Sequence, residues 1–407
     1  MNQVFRNSAW LTAAHLAGYA IPLLELPILT RALGPEVYGG VVFALSLSLA
    51  LSLVVEFGFN LSASREIARN RHDSQAVARV VGSVLVAKCL LLMVIGLLCT
   101  FGLMLFGSPG ALSEDLIIPA ALFVIAFGLS PFWFFQGLER MMGPILLNLG
   151  LRFVGLFLLW ILVRGDQDDV LAMYILAGAG LANTAITLIW MLKLTSVPVF
   201  SFVGGFKEIA RGWHAFIYRS ANDVLMSASP ALLGIASGRY QTGVFVPAEK
   251  LVKAAAGMAT PVLTAFFPFL SRRFSERGLV SGWPVVSLLT ALSAVGAVLL
   301  AWLSPWLIGL LAGEEFAESV DLLRIFVWLI PLRVMNQSLG LAILMPLGKD
   351  RWAGYSLIIC ATVAMTLGFF LSRQHGAEGM VAGLLFGEAI LATSLLYAAF
   401  RIKKAES

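Results

Sequence analysis

The feature that most limits what this chain can become is a series of long apolar runs, twelve of them, each at least about 18 residues. They fall at about 8–30, 37–60, 80–106, 116–138, 144–163, 170–192, 212–236, 242–268, 284–311, 320–345, 353–371 and 379–400. A helix rising about 1.5 Å per residue crosses the ~30 Å hydrocarbon core in about 20 residues, so each run is the length of one crossing. The composition agrees: 59% of residues are apolar and 13% charged, against roughly 45–50% and 25% in soluble domains. The expected fold is an all-α integral membrane protein of about 12 transmembrane helices. The first run is too long to be the short apolar centre of a cleaved leader and reads as a retained span.

Basic residues are retained on the cytoplasmic side. Placing the N-terminus inside puts seventeen of the 28 Lys and Arg residues in cytoplasmic turns, so both termini are expected there. The net charge of +5 then follows from topology, with attraction to anionic lipid headgroups and no implication of nucleic-acid binding. Cys89, Cys99 and Cys360 all lie inside predicted spans, which leaves neither a disulfide framework nor zinc-ligand spacing; no metal site or cofactor is expected.

The chain repeats itself at half its length. Gly34-Pro-Glu-Val-Tyr-Gly39 aligns with Gly238-Arg-Tyr-Gln-Thr-Gly243 at an offset of 204. Pro131 with Gln136 aligns with Pro331 and Asn336 at an offset of 200. The expected organisation is therefore a first six-helix bundle at 1–193, a cytoplasmic connector at 194–211 and a second six-helix bundle at 212–407, related by an axis along the membrane normal. The substrate path should lie between them. Prolines recur inside spans, Pro22 and Pro27 in the first, and read either as routine kinks or as hinges of alternating access.

Several stretches resemble one family in order along nearly the whole chain. They are LTRALGPEVYGG (29–40), GFNLSASREIARNR (58–71), SPFWFFQGLERM (130–141), GVFVPAEKLVKAAAGM (243–258) and FFPFLSRRF (266–274). They resemble the polysaccharide-transporter branch of the MATE-like (MOP) flippase superfamily, which includes the O-antigen flippases. The resemblance implies two six-helix bundles around a central cavity that opens alternately to either side of the bacterial inner membrane. It also implies an undecaprenyl pyrophosphate-linked oligosaccharide as cargo, destined for O-antigen, capsule or exopolysaccharide. Polysaccharide polymerase and chain-length proteins are possible partners.

Such a protein makes no bonds and is not an enzyme. Its task is to carry a charged headgroup through hydrocarbon, and diphosphate calls for cations. Ionisable groups inside a bilayer cost at least ~2.5 kcal/mol and normally face a protein interior or a watery cavity. Arg219, Lys250, Lys253 and Arg333 are the candidate substrate-binding cations, with Asp223 and Asn336 as polar partners. Local pairing is the competing reading, since Arg219 with Asp223 and Glu249 with Lys253 are four apart on their helices. Lys88 could snorkel to a surface. Glu25, Asp223, Glu56 and Glu388 are candidates to carry a proton or sodium ion for coupling. Arg31 and Pro27 are gate candidates at the end of the first span. Trp133 to Gln136 could stack on sugars, with interfacial anchoring as the competing reading for Trp133. The alternative function is a sodium- or proton-coupled efflux transporter of small organic cations, whose cavity should lean acidic. The seven basic residues within spans outnumber the five acidic ones.

Overall fold

The computed structural model describes the backbone of residues 2–259, 282–345 and 350–406; the side chains of 2–17, 214, 215, 217–226, 350, 351 and 402–406 are outside the description. Every regular element among the described residues is helical. In lipid this is the expected solution, because no water is present to satisfy a backbone left open. Among the described residues, eight helical stretches are long and apolar enough to cross a membrane. Two of them, Gly18–Asn70 at 53 residues and Trp352–Arg401 at 50, exceed a single crossing more than twofold and contain internal breaks.

The chain divides into two compact units. The first comprises Met1–Ala17 and Gly40–Ala231, the second Gly18–Gly39 and Leu232–Ser407. The units thus exchange a segment relative to the halves expected from the repeat: residues 18–39 pack with the second unit, and helical residues up to 231 with the first.

In the first unit, the latter part of helix α1 (Asn2–Glu56) is followed by two left-handed residues, Phe57 and Gly58, and then by α2 (Phe59–Asn70). Helix α3 (Ser74–Phe106) begins at Asp73, whose carboxylate accepts from the backbone N–H groups of Gln75 and Ala76, both at 3.0 Å. Helices α4 (Ile117–Gly128), α5 (Phe132–Gly137), α6 (Met142–Leu162) and α7 (Asp169–Leu194) follow. The core gathers Phe57, Phe59, Ile67, Val81, Trp133, Phe134 and Phe135. Along α3, by contrast, Leu97 is 64% exposed and Phe101 61%, an apolar face suited to lipid.

Helix α8 (Phe202–Ser227) starts inside the stretch expected as a polar connector. Gly204 and Gly205 lie directly against Ser83 and Val86 of α3, so close packing extends the helix into that region. Its outer face is apolar, with Phe202, Val203 and Phe206 exposed.

In the second unit, residues 18–39 contain a break at Gly34 (φ 67°, ψ 172°), and α9 (Ser229–Gly257) breaks at Gly238 (φ 86°, ψ −174°). These are the two glycines that the repeat aligned, and they hold nearly the same conformation, one that L side chains rarely adopt. Helices α10 (Trp283–Leu311), α11 (Glu318–Phe326) and α12 (Leu329–Leu339) lead into a π-helical turn at Gly340–Leu344. The last helix, α13 (Asp350–Glu406), folds back at Gly376 (φ 54°). Gly379, Gly383 and Gly387 bring its two arms together against Leu371, Gly368 and Ala364, the close approach small residues allow. A second trace of the repeat is a pair of one-turn 3-10 helices 200 residues apart. Glu114–Leu116 and Glu314–Phe316 each end on a buried apolar residue.

Candidate functional site

Within the second unit the structure brings candidate side chains into two groups. The first lies between the 18–39 segment and α9. Lys250 Nζ stands over the ring of the fully buried Tyr38 at 5.8 Å from its centroid, within cation–π range. Glu25 and Glu249 are within electrostatic reach of the same ammonium group. One turn along α9, Lys253 Nζ is 3.0 Å from Glu249 Oε1. Glu249 is 5% exposed at its side chain and Lys253 23%, so this pair is shielded but not sealed. The local-pairing reading thus holds for Glu249 and Lys253. Lys250 is placed instead against an aromatic face with Glu25 close by.

The second group joins α12 to the outgoing arm of α13. Arg333 Nε lies 3.2 Å from Glu388 Oε1, with the two side chains 13% and 14% exposed. The Asn336 amide donates to Glu388 Oε2 at 2.7 Å and to the Glu388 backbone carbonyl at 3.0 Å. Residues 333 and 336 are one turn apart, so both reach the same carboxylate. Tyr19 is within electrostatic reach of Arg333, and its ring lies against Gly257, where a methyl would come within 2.4 Å of it.

Of the remaining candidates, Arg31 and Pro27 belong to the second unit but to neither group. Arg31 Nη2 donates to the Leu310 carbonyl at 2.7 Å, and Thr30 Oγ1 to those of Leu26 and Leu311 at 2.8 and 3.3 Å. Both reach the C-terminal end of α10, where carbonyls lack helical partners and a cation is favoured. Pro27 sits inside the helix one turn earlier. Glu56 is in the first unit, within electrostatic reach of Lys88. The side chains of Arg219 and Asp223 on α8 lie outside the described residues.

Two sequence expectations are corrected. Lys88 does not snorkel: it is fully buried and donates to the carbonyls of Gly128 and Ser130, both at 2.8 Å. Helix α4 ends there because Pro131 follows, and the freed carbonyls at the negative end of the helix take up the cation. Trp133 is neither an interfacial anchor nor a stacking platform for sugar, since it is buried completely against Phe134. Sequence reasoning also passed over Tyr38. Its position inside the repeated glycine motif, where both neighbours on one side are glycine, was the available signal.

A helical membrane protein with shielded basic groups inside its second unit is thus the class that the fold and these side chains define. The profile of the family described as "Polysaccharide biosynthesis protein" matches residues 4–274, and the chain belongs to that family. It is 27% identical over 405 residues to a Shigella dysenteriae protein named "Putative O-antigen transporter", covering 97% of this chain and 99% of that one. An Escherichia coli K12 protein of the same name is 26% identical, with 96% and 95% covered. Among solved structures, the lipid II flippase MurJ in an inward closed conformation superposes with a TM-score of 0.74 at 12% identity, over 95% of this chain and 86% of that one. An inward-facing multidrug-resistance MATE family transporter of the MOP superfamily gives 0.70 at 16% identity, over 96% and 95%. At such identities the likeness establishes the fold alone, an α-helical membrane fold shared with these two structures.

Proposed function

We propose that this protein is a flippase that moves undecaprenyl pyrophosphate-linked oligosaccharide repeat units from the cytoplasmic to the periplasmic face of the bacterial inner membrane by alternating access. In this reading it has twelve crossings in a 6+6 arrangement with both termini cytoplasmic, and it makes and breaks no bonds. The observation that carries it is end-to-end similarity to proteins named as O-antigen transporters. The chemistry agrees. Lys250, Lys253 and Arg333 supply cations in shielded surroundings, where their attraction for a diphosphate is screened less than in water. Glu25 and Glu388 lie beside these cations and are the acids through which sodium or proton coupling would act. Polymerase and chain-length proteins would receive the cargo afterwards.

The test is export in a flippase-deleted bacterium supplied with a defined repeat unit. Restored surface polysaccharide with the parent chain, and accumulation of cytoplasm-facing lipid-linked sugar with Lys250→Ala/Lys253→Ala, are expected. Failure of a well-inserted parent with several repeat-unit types would overturn the reading.

A further inference from the structure

The Arg333–Glu388 pair is an unusual thing to leave inside a membrane span. Bringing two charges out of water is costly, and a pair of well-packed apolar residues often serves stability as well or better. Nor is the pair sealed: its side chains keep 13% and 14% of their surface. An ion pair that is shielded yet reachable can exchange one partner for another.

We propose that Glu388 is a built-in placeholder for the cargo's diphosphate on Arg333, so that capture of the cargo there and uptake of a proton by Glu388 form a single exchange. The inference rests on the flippase reading above and identifies the atoms of coupling. In the resting pair the guanidinium is neutralised by the carboxylate. A diphosphate approaching Arg333 presents oxygens of the same kind with more charge, and the guanidinium fork suits either. The displaced carboxylate would be left shielded and uncompensated, the situation in which a carboxyl group takes a proton from solution. The balance is then simple: one cargo anion and one proton enter, the Arg333–Glu388 contact is lost, and a neutral Glu388 carboxyl and an Arg333–phosphate contact are gained.

Asn336 supplies an independent observation. It is 5% exposed and its Nδ2 already donates to Glu388 Oε2, yet its Oδ1 is buried without a hydrogen-bond partner. Buried acceptors left open are rare and call for explanation. An ionised carboxylate can only accept hydrogen bonds, whereas a protonated one carries a donor. Asn336 thus carries a donor for the charged carboxylate and, after a turn of its amide, an open acceptor for the proton of the neutral one. Among the described residues, Tyr19 toward Arg333 and Cys360 toward Glu388 are titratable neighbours of the pair, both of types ordinarily neutral at pH 7.

The experiment is binding of undecaprenyl pyrophosphate to the full chain in lipid nanodiscs between pH 6 and 8, for the parent, Glu388→Gln and Arg333→Gln. Ligand ionisation is common to all three, so the difference in pH slope between parent and Glu388→Gln isolates the Glu388 proton. Parent affinity should fall with rising pH more steeply than that of Glu388→Gln, by up to about tenfold per pH unit for one linked proton. At pH 8 Glu388→Gln should bind about tenfold tighter than the parent, because the competing anion is gone. Arg333→Gln, eluting as a folded monodisperse protein, should bind weakly at every pH. Parallel slopes, or Glu388→Gln binding no tighter than the parent, would overturn the placeholder. Export measured in parallel separates the two readings. Restored export with parallel slopes removes the placeholder alone, whereas divergent slopes without export of any repeat unit remove the flippase reading and leave the anion–proton exchange standing.

Discussion

Gly39 and Gly243 meet in a reciprocal contact. A methyl group on Gly39 would lie 1.9 Å from the Arg239 carbonyl oxygen, and one on Gly243 would lie 1.9 Å from that of Pro35. The offset of 204 that relates Gly39 to Gly243 also relates Pro35 to Arg239, so the two helix starts touch through equivalent residues in both directions. Such reciprocity is the local signature of a two-fold relationship between the repeated segments.

Because the obstruction at each glycine is backbone and cannot swing aside, Gly39→Ala and Gly243→Ala should each destabilise the folded protein by about 1–3 kcal/mol, the usual cost of overpacking. Thermal unfolding in detergent is the measurement. Gly96→Ala, where no atom lies within 4 Å, is the control and should be neutral or slightly stabilising. Equal melting points for all three variants would contradict the contact.

Lys88→Met should be among the most damaging single substitutions in the first unit. It strands two carbonyls at the end of α4 and removes the cation near Glu56. Breaking a buried charge arrangement in this way costs about 3–5 kcal/mol. A lower yield of monodisperse protein and a fall of many degrees in Tm are expected; a parent-like Tm would show that the ammonium is dispensable.

Arg31→Ala separates stability from transport. The bond to Leu310 is exposed, and its loss should cost no more than about 1 kcal/mol. If Arg31 serves as a gate, export in the complementation assay should fall far more than stability does. Normal export at parent-like Tm would leave Arg31 as a helix cap alone.

Glu208, on α8 ahead of its apolar half, gives a pH prediction. Burial pushes its carboxyl up from the usual glutamate value, while Arg211 at 3.1 Å opposes the shift. A group raised on folding contributes stability that is complete below its unfolded value and is lost as pH rises through its folded value. Glu208→Gln removes that loss, so its Tm relative to the parent should improve as pH is taken from about 4.5 to 8. A difference that stays constant or shrinks over this range would refute the assignment.

Much of this was legible in the chain because it rests on local chemistry. The breaks at Gly34 and Gly238 could be read from paired motifs, since a glycine requirement leaves a mark on sequence. Glu249 and Lys253 were visible as helical neighbours, and Arg333 and Asn336 as one helical face. What joined Arg333 to Glu388, 55 residues away, left no comparable mark, because long-range pairing depends on how separate helices pack. Lys88 misled for a physical reason: a long side chain near the start of a span can equally reach for a surface or for an open helix end. Trp133 misled likewise, since an aromatic run beside a proline suits an interface as well as a core.

The single-residue breaks at Gly34, Gly238 and Gly376 also bear on how the protein is made. Where one helix follows another with no connecting loop, the polar residues at the corner, such as Arg373, Gln374, His375 and Glu378, are themselves helical, and each helix pair is expected to enter the bilayer as a unit during synthesis. Once made, these corners offer a protease no extended strand to grip, which leaves stretches such as 195–201, between α7 and α8, as the natural places for cleavage.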